Sequence, residues 1–344
     1  MKIVIDAFGG DHAPGCIIDG TIMALKKFDD IEIVLTGDEE KLNNILKTKK
    51  YDASRVTIIN APDVITNDDV PTDAIKHKTN SSLVVAFDYL KSHDDCVALI
   101  SAGSTGAVLT GGFLKIGRIK GVSRPALAPF FPNAKGGMTC IIDCGANVEC
   151  KPINLCHFAL MGSLYYKIMF GVENPKVALL SNGSEEKKGN ELCKETYPLL
   201  KQLPINFIGN VEARYFMTGD VDVMVSDGFS GNILIKSVEG AVKFTTKVMK
   251  QAMLSTFFSK IGALLCKRSI GKVKDKLDYH KYGGALFIGC KKTIIKSHGS
   301  SRDVTICAAI EQARKLEINK VNEQIKKMIE NTPEINLGIG EHND

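Results

Sequence analysis

Val97–Leu109, VALISAGSTGAVL, decides the fold. An apolar run of strand-forming residues stops at Ser101, Ala102, Gly103, Ser104, Thr105 and Gly106, and apolar residues then resume at helical spacing. The pattern reads as strand, tight loop, helix. Glycines let a ligand approach the main chain, and the first N–H groups of a helix have no intrahelical acceptor, so such a loop is a natural seat for an anion. Four other stretches repeat the design: Lys2–Asp11 (KIVIDAFGGD), Cys140–Asn147 (CIIDCGAN), Val177–Glu186 (VALLSNGSEE) and Val221–Asn232 (VDVMVSDGFSGN). In an open parallel α/β sheet such breaks lie at the carboxyl ends of strands, on the edge where these folds bind ligands. The five loops are therefore expected to face one cleft. As ordinary βα turns with helix caps they would look the same one at a time.

Composition narrows the class. The 344 residues are 44% hydrophobic and 24% charged with a formal net charge of +5, as for a soluble globular chain with a large core. No apolar run reaches the ~18 residues of a membrane span. The amino terminus runs from Lys2 straight into Asp6 and glycines, unlike a signal peptide, so a cytoplasmic location is expected. Lysines are spread rather than clustered with aromatics, which argues against nucleic acid. Ten cysteines include no CxxC pair, so buried free thiols are expected rather than a metal site or a catalytic thiol.

Strand and helix patterns alternate along most of the chain, which predicts an α/β fold of three layers, αβα, around a largely parallel sheet. We expect helices over 14–28, 39–47, 105–118 and 302–330, and a proline-punctuated extended segment at Arg124–Pro132. Residues 61–82, with Lys76, His77 and Lys78, fit either an active-site loop or a solvated connector. A single catalytic domain over 1–331 with a tail at 332–344 follows. The exception to the alternation is a projecting helical segment over 238–276, where Leu254, Phe257, Phe258, Ile261, Leu264 and Leu265 are flanked by Lys260, Lys267, Arg268, Lys272, Lys274 and Lys276. It fits a helical hairpin buried in a core or dimer interface, or an apolar tip with a basic rim resting on an anionic membrane.

The cleft inventory mixes Asp6, Asp11, His12, Asp143, Asn147, Lys151, Glu185, Glu186, Lys187, Lys188, Asn190, Asp227, Asn232, Lys296 and His298. Loop N–H groups with several Lys and His suit a phosphate or carboxylate, and the Asp residues can orient those cations. His12 and Asp6 serve equally as caps for their own loops. Lys188 stands beside Gly189 and Asn190 at a helix start, where a cation opposes the helix dipole and an anionic partner would explain it. There is no GxSxG elbow, no Walker A run and no GxGxxG, which disfavours a serine hydrolase, a P-loop enzyme and a standard nicotinamide-dinucleotide fold.

Taken together the loops resemble the PlsX family of acyl-carrier-protein-dependent phosphate acyltransferases. The resemblance is carried by DAFGGDHAP at 6–14, SAGSTGA at 101–107, GRIKGVSRPALAP at 117–129, DCGANVECKP at 143–152, KGNE at 188–191, GNVE at 209–212, DGFSGN at 227–232, YGGA at 282–285 and KSHGSS at 296–301. It departs at Ser104, where Asn is usual, at Ala213, where Gly is usual, and in the 182–187 loop. The resemblance implies a fold similar to isopropylmalate and isocitrate dehydrogenases and phosphotransacetylase. It implies transfer of a fatty acyl group from the carrier-protein thioester to inorganic phosphate, giving acyl phosphate for phospholipid synthesis without a cofactor or metal. A homodimer, peripheral contact with the inner face of an anionic membrane through the 254–265 tip, and hand-over to a membrane acyl-phosphate:glycerol-3-phosphate acyltransferase are implied as partners. Lys188 and Asn232 carry over as catalytic residues. Asp6, Gly9, Gly10, Asp11, His12, Ser101, Gly103, Thr105, Gly106, Asp143, Asn147, Asn190 and His298 carry over as positions binding phosphate or acyl thioester. A phosphotransacetylase-like enzyme using coenzyme A thioesters, a dehydrogenase of the same fold, and a non-catalytic membrane or carrier-binding scaffold are the alternatives.

Overall fold

Among the described residues two sheets, rather than one, carry the strands. In the computed structural model, which describes residues 1–271 and 283–332, the first sheet is built from β1 (Lys2–Asp6), β2 (Glu32–Gly37), β3 (Val56–Asn60), β4 (Cys96–Ser101), β5 (Ala126–Ala128), β11 (Ala285–Ile288) and β12 (Thr293–Lys296). Its order is β3-β2-β1-β4-β12-β11-β5, parallel except that β11 runs antiparallel to both neighbours. The second sheet comprises β6 (Phe130–Pro132), β7 (Met138–Ile142), β8 (Lys176–Ser181), β9 (Asn206–Glu212) and β10 (Val223–Val225) in the order β6-β7-β10-β8-β9. The segment read from its prolines as extended is thus two short strands, one per sheet, and the chain crosses between sheets at Pro129, whose carbonyl accepts the Ile141 N–H at 3.3 Å.

Side-chain alternation along the strands makes the layers. Ile3 and Ile5 of β1 and Cys140 and Ile142 of β7 enter one core, while Val4 and Ile141 enter the other. The first core is filled by helices α1 (Gly15–Lys27), α6 (Pro152–Phe170), α10 (Asp303–Ile318) and α11 (Val321–Asn331). The second takes α3 (Pro71–His77), α4 (Ser82–Ser92), α5 (Thr105–Gly111) and the first turns of α8 (Gly228–Met253). Helices α2 (Glu39–Leu46), α7 (Glu191–Leu200) and α9 (Phe257–Leu265) are also among the described residues. Strands buried on both faces need near-continuous apolar sequence, as KIVID and CVALIS have.

Several boundaries differ from the sequence expectation for local reasons. Helix 105–118 is shorter, because after Gly111 the chain passes into a π-helical turn, Gly112–Ile116, closed by the Gly117 N–H on the Gly112 carbonyl at 3.0 Å. The closing helix is two helices, broken at Lys320, whose φ of 48° no helix interior accommodates. Residues 61–82 contain α3, started by Pro71 at its first position. Beyond Ile235 the long helix α8 has no fully buried residue, Val238 being the last to pack against the second core, and α9 has none, so the stretch from 240 to 265 stands off both cores. Lys272, Lys274, Lys276, Tyr282 and the 333–344 tail lie outside the described residues.

Lys292 fixes the end of α4. Its Nζ donates to the carbonyls of Leu90, His93 and Cys96 at 2.8, 2.7 and 2.9 Å, satisfying acceptors that a helix end leaves open. Lys292→Met should lower the unfolding free energy by about 1–2 kcal/mol, read from urea denaturation midpoints, because charge-assisted bonds to carbonyls are lost.

Candidate active site

The loops after β1, β4, β7, β10 and β12 converge where the two sheets meet. Gly9 and Gly103 touch so closely that a Cβ on Gly9 would sit 2.6 Å from the Gly103 nitrogen, and the Asp11 N–H donates to the Gly299 carbonyl at 2.8 Å. Beneath this ring lie two buried carboxylates. Asp6 accepts from Ser101 Oγ at 2.7 Å and from the Phe8 N–H at 3.3 Å, and Ser101 Oγ in turn accepts the Gly103 N–H at 3.0 Å. Asp143 accepts from the N–H groups of Leu127, Cys144, Ala146 and Asn147 and from Asn147 Nδ2, at 2.6–3.2 Å. Burial pushes both carboxyls up, while these donors act in the opposite direction.

The start of α8 seats on the Asp143 loop. Asp227 caps the helix, accepting from Ser230 N–H at 2.7 Å and Ser230 Oγ at 2.9 Å. Glycine is required at 231, where a Cβ would lie 2.0 Å from the Asp143 carbonyl oxygen. This close approach lays Asn232 over Gly145 and aligns Asn232, Ile235, Lys236 and Glu239 along one helix face.

That face is one wall of a cavity of about 320 Å³. Leu127, Pro129, Phe130 and Phe131 supply apolar lining, and Cys144, Gly145, Thr105, Lys296 and His298 complete it with backbone and polar groups. Lys296 is only 7% exposed, and burial pulls its ammonium down to about 8, opposed by Asp6 and Asp11 and reinforced by Lys236. His298 Nδ1 accepts the Ser300 N–H at 3.1 Å, so the neutral ring carries its proton on Nε2. Burial pushes the Cys144 thiol well up, which makes it a poor nucleophile. Among the described residues no group of three or more His, Cys, Asp or Glu could hold a metal ion.

A family model described as "Fatty acid synthesis protein" matches residues 1–324. The chain belongs to this family, the PlsX family of acyltransferases. It is 47% identical over 330 residues to a phosphate acyltransferase of Clostridium novyi, covering 96% of this chain and 99% of that one. It is 42% identical to the Bacillus cereus phosphate acyltransferase, covering 96% and 98%. Among solved structures it resembles a Streptococcus pyogenes phosphotransacetylase, with a TM-score of 0.59, 19% identity and coverage of 92% and 94%, a likeness of fold.

Within this PlsX-family chain the candidate residues separate. Asn232, Thr105 and His298 line the cavity. Asp6, Ser101, Asp143 and Asn147 are buried and committed to shaping its loops, Asn147 Nδ2 also donating to the Pro125 carbonyl at 2.8 Å. Gly9, Gly10 and Gly103 form the backbone of the rim, with Asp11 and His12 exposed upon it, while Gly106 lies in the first turn of α5 against Pro71. Lys188 and Asn190 stand off the cavity wall, in the loop after β8. There Asn190 Oδ1 caps α7 by accepting the Cys193 N–H at 2.9 Å, and the exposed Lys188 gives its N–H to the Glu185 carbonyl at 3.0 Å. Because β8 lies next to β10, this loop neighbours the turn that leads to Asn232.

Two cations on the wall stand outside the residues carried over. Lys296 was legible as a strand-end residue of the cleft, but its burial was not; Lys236 follows Asn232 by one helical turn, a spacing that puts both on one face. The folded pKa of Lys296 is depressed, so between about pH 8 and its ordinary value of 10.5 the unfolded chain holds a proton that the folded chain does not. Stability contributed at this position therefore rises with pH across that window. Unfolding measured at pH 8 and pH 10 should show this rise in the native chain relative to Lys296→Met, and parallel pH dependences would contradict it.

Proposed function

We propose that this protein transfers a fatty acyl group from the thioester of acyl carrier protein to inorganic phosphate, releasing acyl phosphate for glycerophospholipid synthesis. The observation that carries the reading is the cavity itself, whose lining combines apolar Phe130 and Phe131 with polar Asn232, Lys236, Lys296 and His298, in a chain of a phosphate acyltransferase family. A phosphate oxygen attacks the thioester carbonyl carbon, and the C–S bond then breaks to release the thiol. Cations offset the phosphate charge, and N–H donors stabilise the developing oxyanion. Cys144 is unsuited to carry the acyl group, which favours direct attack by phosphate over a covalent acyl-enzyme. The amides of the Gly103–Gly106 loop and the Asn232 side chain serve as donors, and Lys188 enters from the neighbouring loop to neutralise charge at the reacting centre. His12 and His298 contact phosphate or handle protons.

The surroundings suit delivery of an apolar product. Leu254, Phe257, Phe258, Ile261, Leu264 and Leu265 are between 43% and 83% exposed, with Lys260, Lys267 and Arg268 among them. Such a patch on a helix pair, with cations beside it, suits the interface of an anionic bilayer. No described helix is long and apolar enough to cross one. In this reading the contact is peripheral and on the inner face, where acyl phosphate passes to a membrane acyl-phosphate:glycerol-3-phosphate acyltransferase. Phe229, Ile233, Phe244, Val248 and Met249 leave a further exposed apolar surface on α8, which a second copy covers in a homodimer.

Purified protein incubated with long-chain acyl carrier protein and phosphate should yield acyl phosphate, trapped as the hydroxamate with hydroxylamine, and none when phosphate is omitted. Product from free coenzyme A thioesters alone would replace the carrier with coenzyme A. No product from either would leave a binding scaffold. Lys188→Ala should lower kcat about 100-fold or more with the fold retained; near-normal turnover would remove Lys188 from the site. The double variant Phe257→Ser/Phe258→Ser should lose co-sedimentation with phosphatidylglycerol vesicles while keeping turnover in solution, whereas undiminished binding would place the membrane contact elsewhere.

A further inference from the structure

The cavity holds a cation whose surroundings differ from those of its other lysine. Lys236 is exposed and pairs with Glu239 at 3.2 Å. Lys296 is the last residue of β12, in register with Ser101 of β4, and is more than nine-tenths buried where it meets the cavity. Its Nζ donates to the neighbouring Ser297 carbonyl. The charged and titratable groups around it come from each side: Asp6 at the end of β1, Asp11 in the loop that follows, Lys236 and Glu239 from α8, and His298 from its own loop. A buried ammonium is costly unless its protons are used. Asp6 is occupied by Ser101 and the Phe8 N–H, so the acids compensate Lys296 through space while the cavity end stays available to an anion.

We propose that Lys296 is a catalytic residue of this cavity: its ammonium contacts the bound phosphate, gives a proton to the leaving thiolate, and recovers one from the product. The inference rests on the reading of the cavity as the site of phosphate acylation. In the step itself hydrogen phosphate forms a P–O–C bond to the carbonyl carbon, the C–S bond breaks, and the electron pair leaves with sulfur. The thiolate takes a proton from the Lys296 ammonium to become the free thiol. The acyl hydrogen phosphate, a stronger acid than an amine, then returns its proton to Lys296, so thioester and hydrogen phosphate have become thiol and acyl phosphate dianion with the ammonium restored. An acid that works near neutrality must release its proton in that range, and burial holds Lys296 near 8.

The test separates proton donation from charge and from structure by varying the leaving group. Lys296→Met and Lys296→Arg are assayed with two donors, long-chain acyl carrier protein and the nitrothiophenyl thioester of the same acid, whose thiolate departs without needing a proton. With the carrier thioester both variants should lose about 100-fold or more in kcat, and with the aryl thioester the loss should shrink to less than about 10-fold. The native kcat/KM for phosphate should fall above about pH 8, a limb absent from Lys296→Met. Equal losses on both donors, or full rescue of the carrier reaction by Arg, would overturn the proposal, because a fixed charge would then suffice. If Lys296→Met fails to fold, Lys296→Arg carries the same two-donor comparison. A native protein that makes no acyl phosphate from either donor would overturn the functional reading, and this inference with it. An active native protein leaves only the role of Lys296 at stake.

Discussion

The Asp143 carboxylate holds the molecule together at the place where it matters. It stands at the end of β7 in one sheet and takes the Leu127 N–H of β5 in the other, at 2.8 Å, together with donors from its own loop. In a buried setting a carboxylate served by several N–H groups is a strong, directional tie, and removing it would leave those donors unsatisfied. The rest of the cleft follows. With the 143–147 loop fixed, Gly228 and Gly231 let α8 press onto it, and the first turns of α8 set the direction of Asn232 and Lys236.

The first sheet uses the same device on a smaller scale. Asp6 draws in Ser101, Ser101 draws in the Gly103 N–H, and the rim loop is shaped from below. Asp6, Asp143 and Asp227 are thus turned toward loop backbone, whereas Asn232, Lys236, Lys296 and Glu239 line the space. That division of labour is what an anion site built from βα loops needs. Asp6 tempers the charge of Lys296 through space, while Lys236 is paired directly by Glu239 of its own helix.

Away from the cleft the surface on α8 and α9 obeys a different constraint. The outer turns of α8 and the whole of α9 bury no residue against their own chain yet carry large apolar side chains, the kind of exposed patch that marks an interaction surface. The exposed Phe257 and Phe258, with ring centroids 6.0 Å apart, sit at the outer turn, beyond the reach of either core. The long α8 therefore connects the polar work of the cleft at one end with an apolar surface at the other.

Much of this was legible in the chain itself. Buried parallel strands require unbroken apolar runs, and their carboxyl ends require Gly with Ser, Asp or Asn, so the β1, β4, β7, β8 and β10 loops and the αβα layering could be read from local pattern alone. Nine ordered motifs likewise fixed the family before any coordinate. Short antiparallel strands could not be read, since three residues such as Ala126–Ala128 show no period, and their pairing partners lie far along the chain. Nor does spacing show how a cleft residue is engaged: Asp6 and Asp143, expected to bind phosphate or acyl thioester, hydrogen-bond their own and neighbouring loops, while Lys296, placed in the cleft inventory by its strand-end position, is a buried cation on the cavity wall. Sequence determined which residues gather at one edge of the fold, because period and turn chemistry are local. Tertiary structure alone decided which way each faces and how much water it keeps, because burial and charge depend on what remote segments bring beside it.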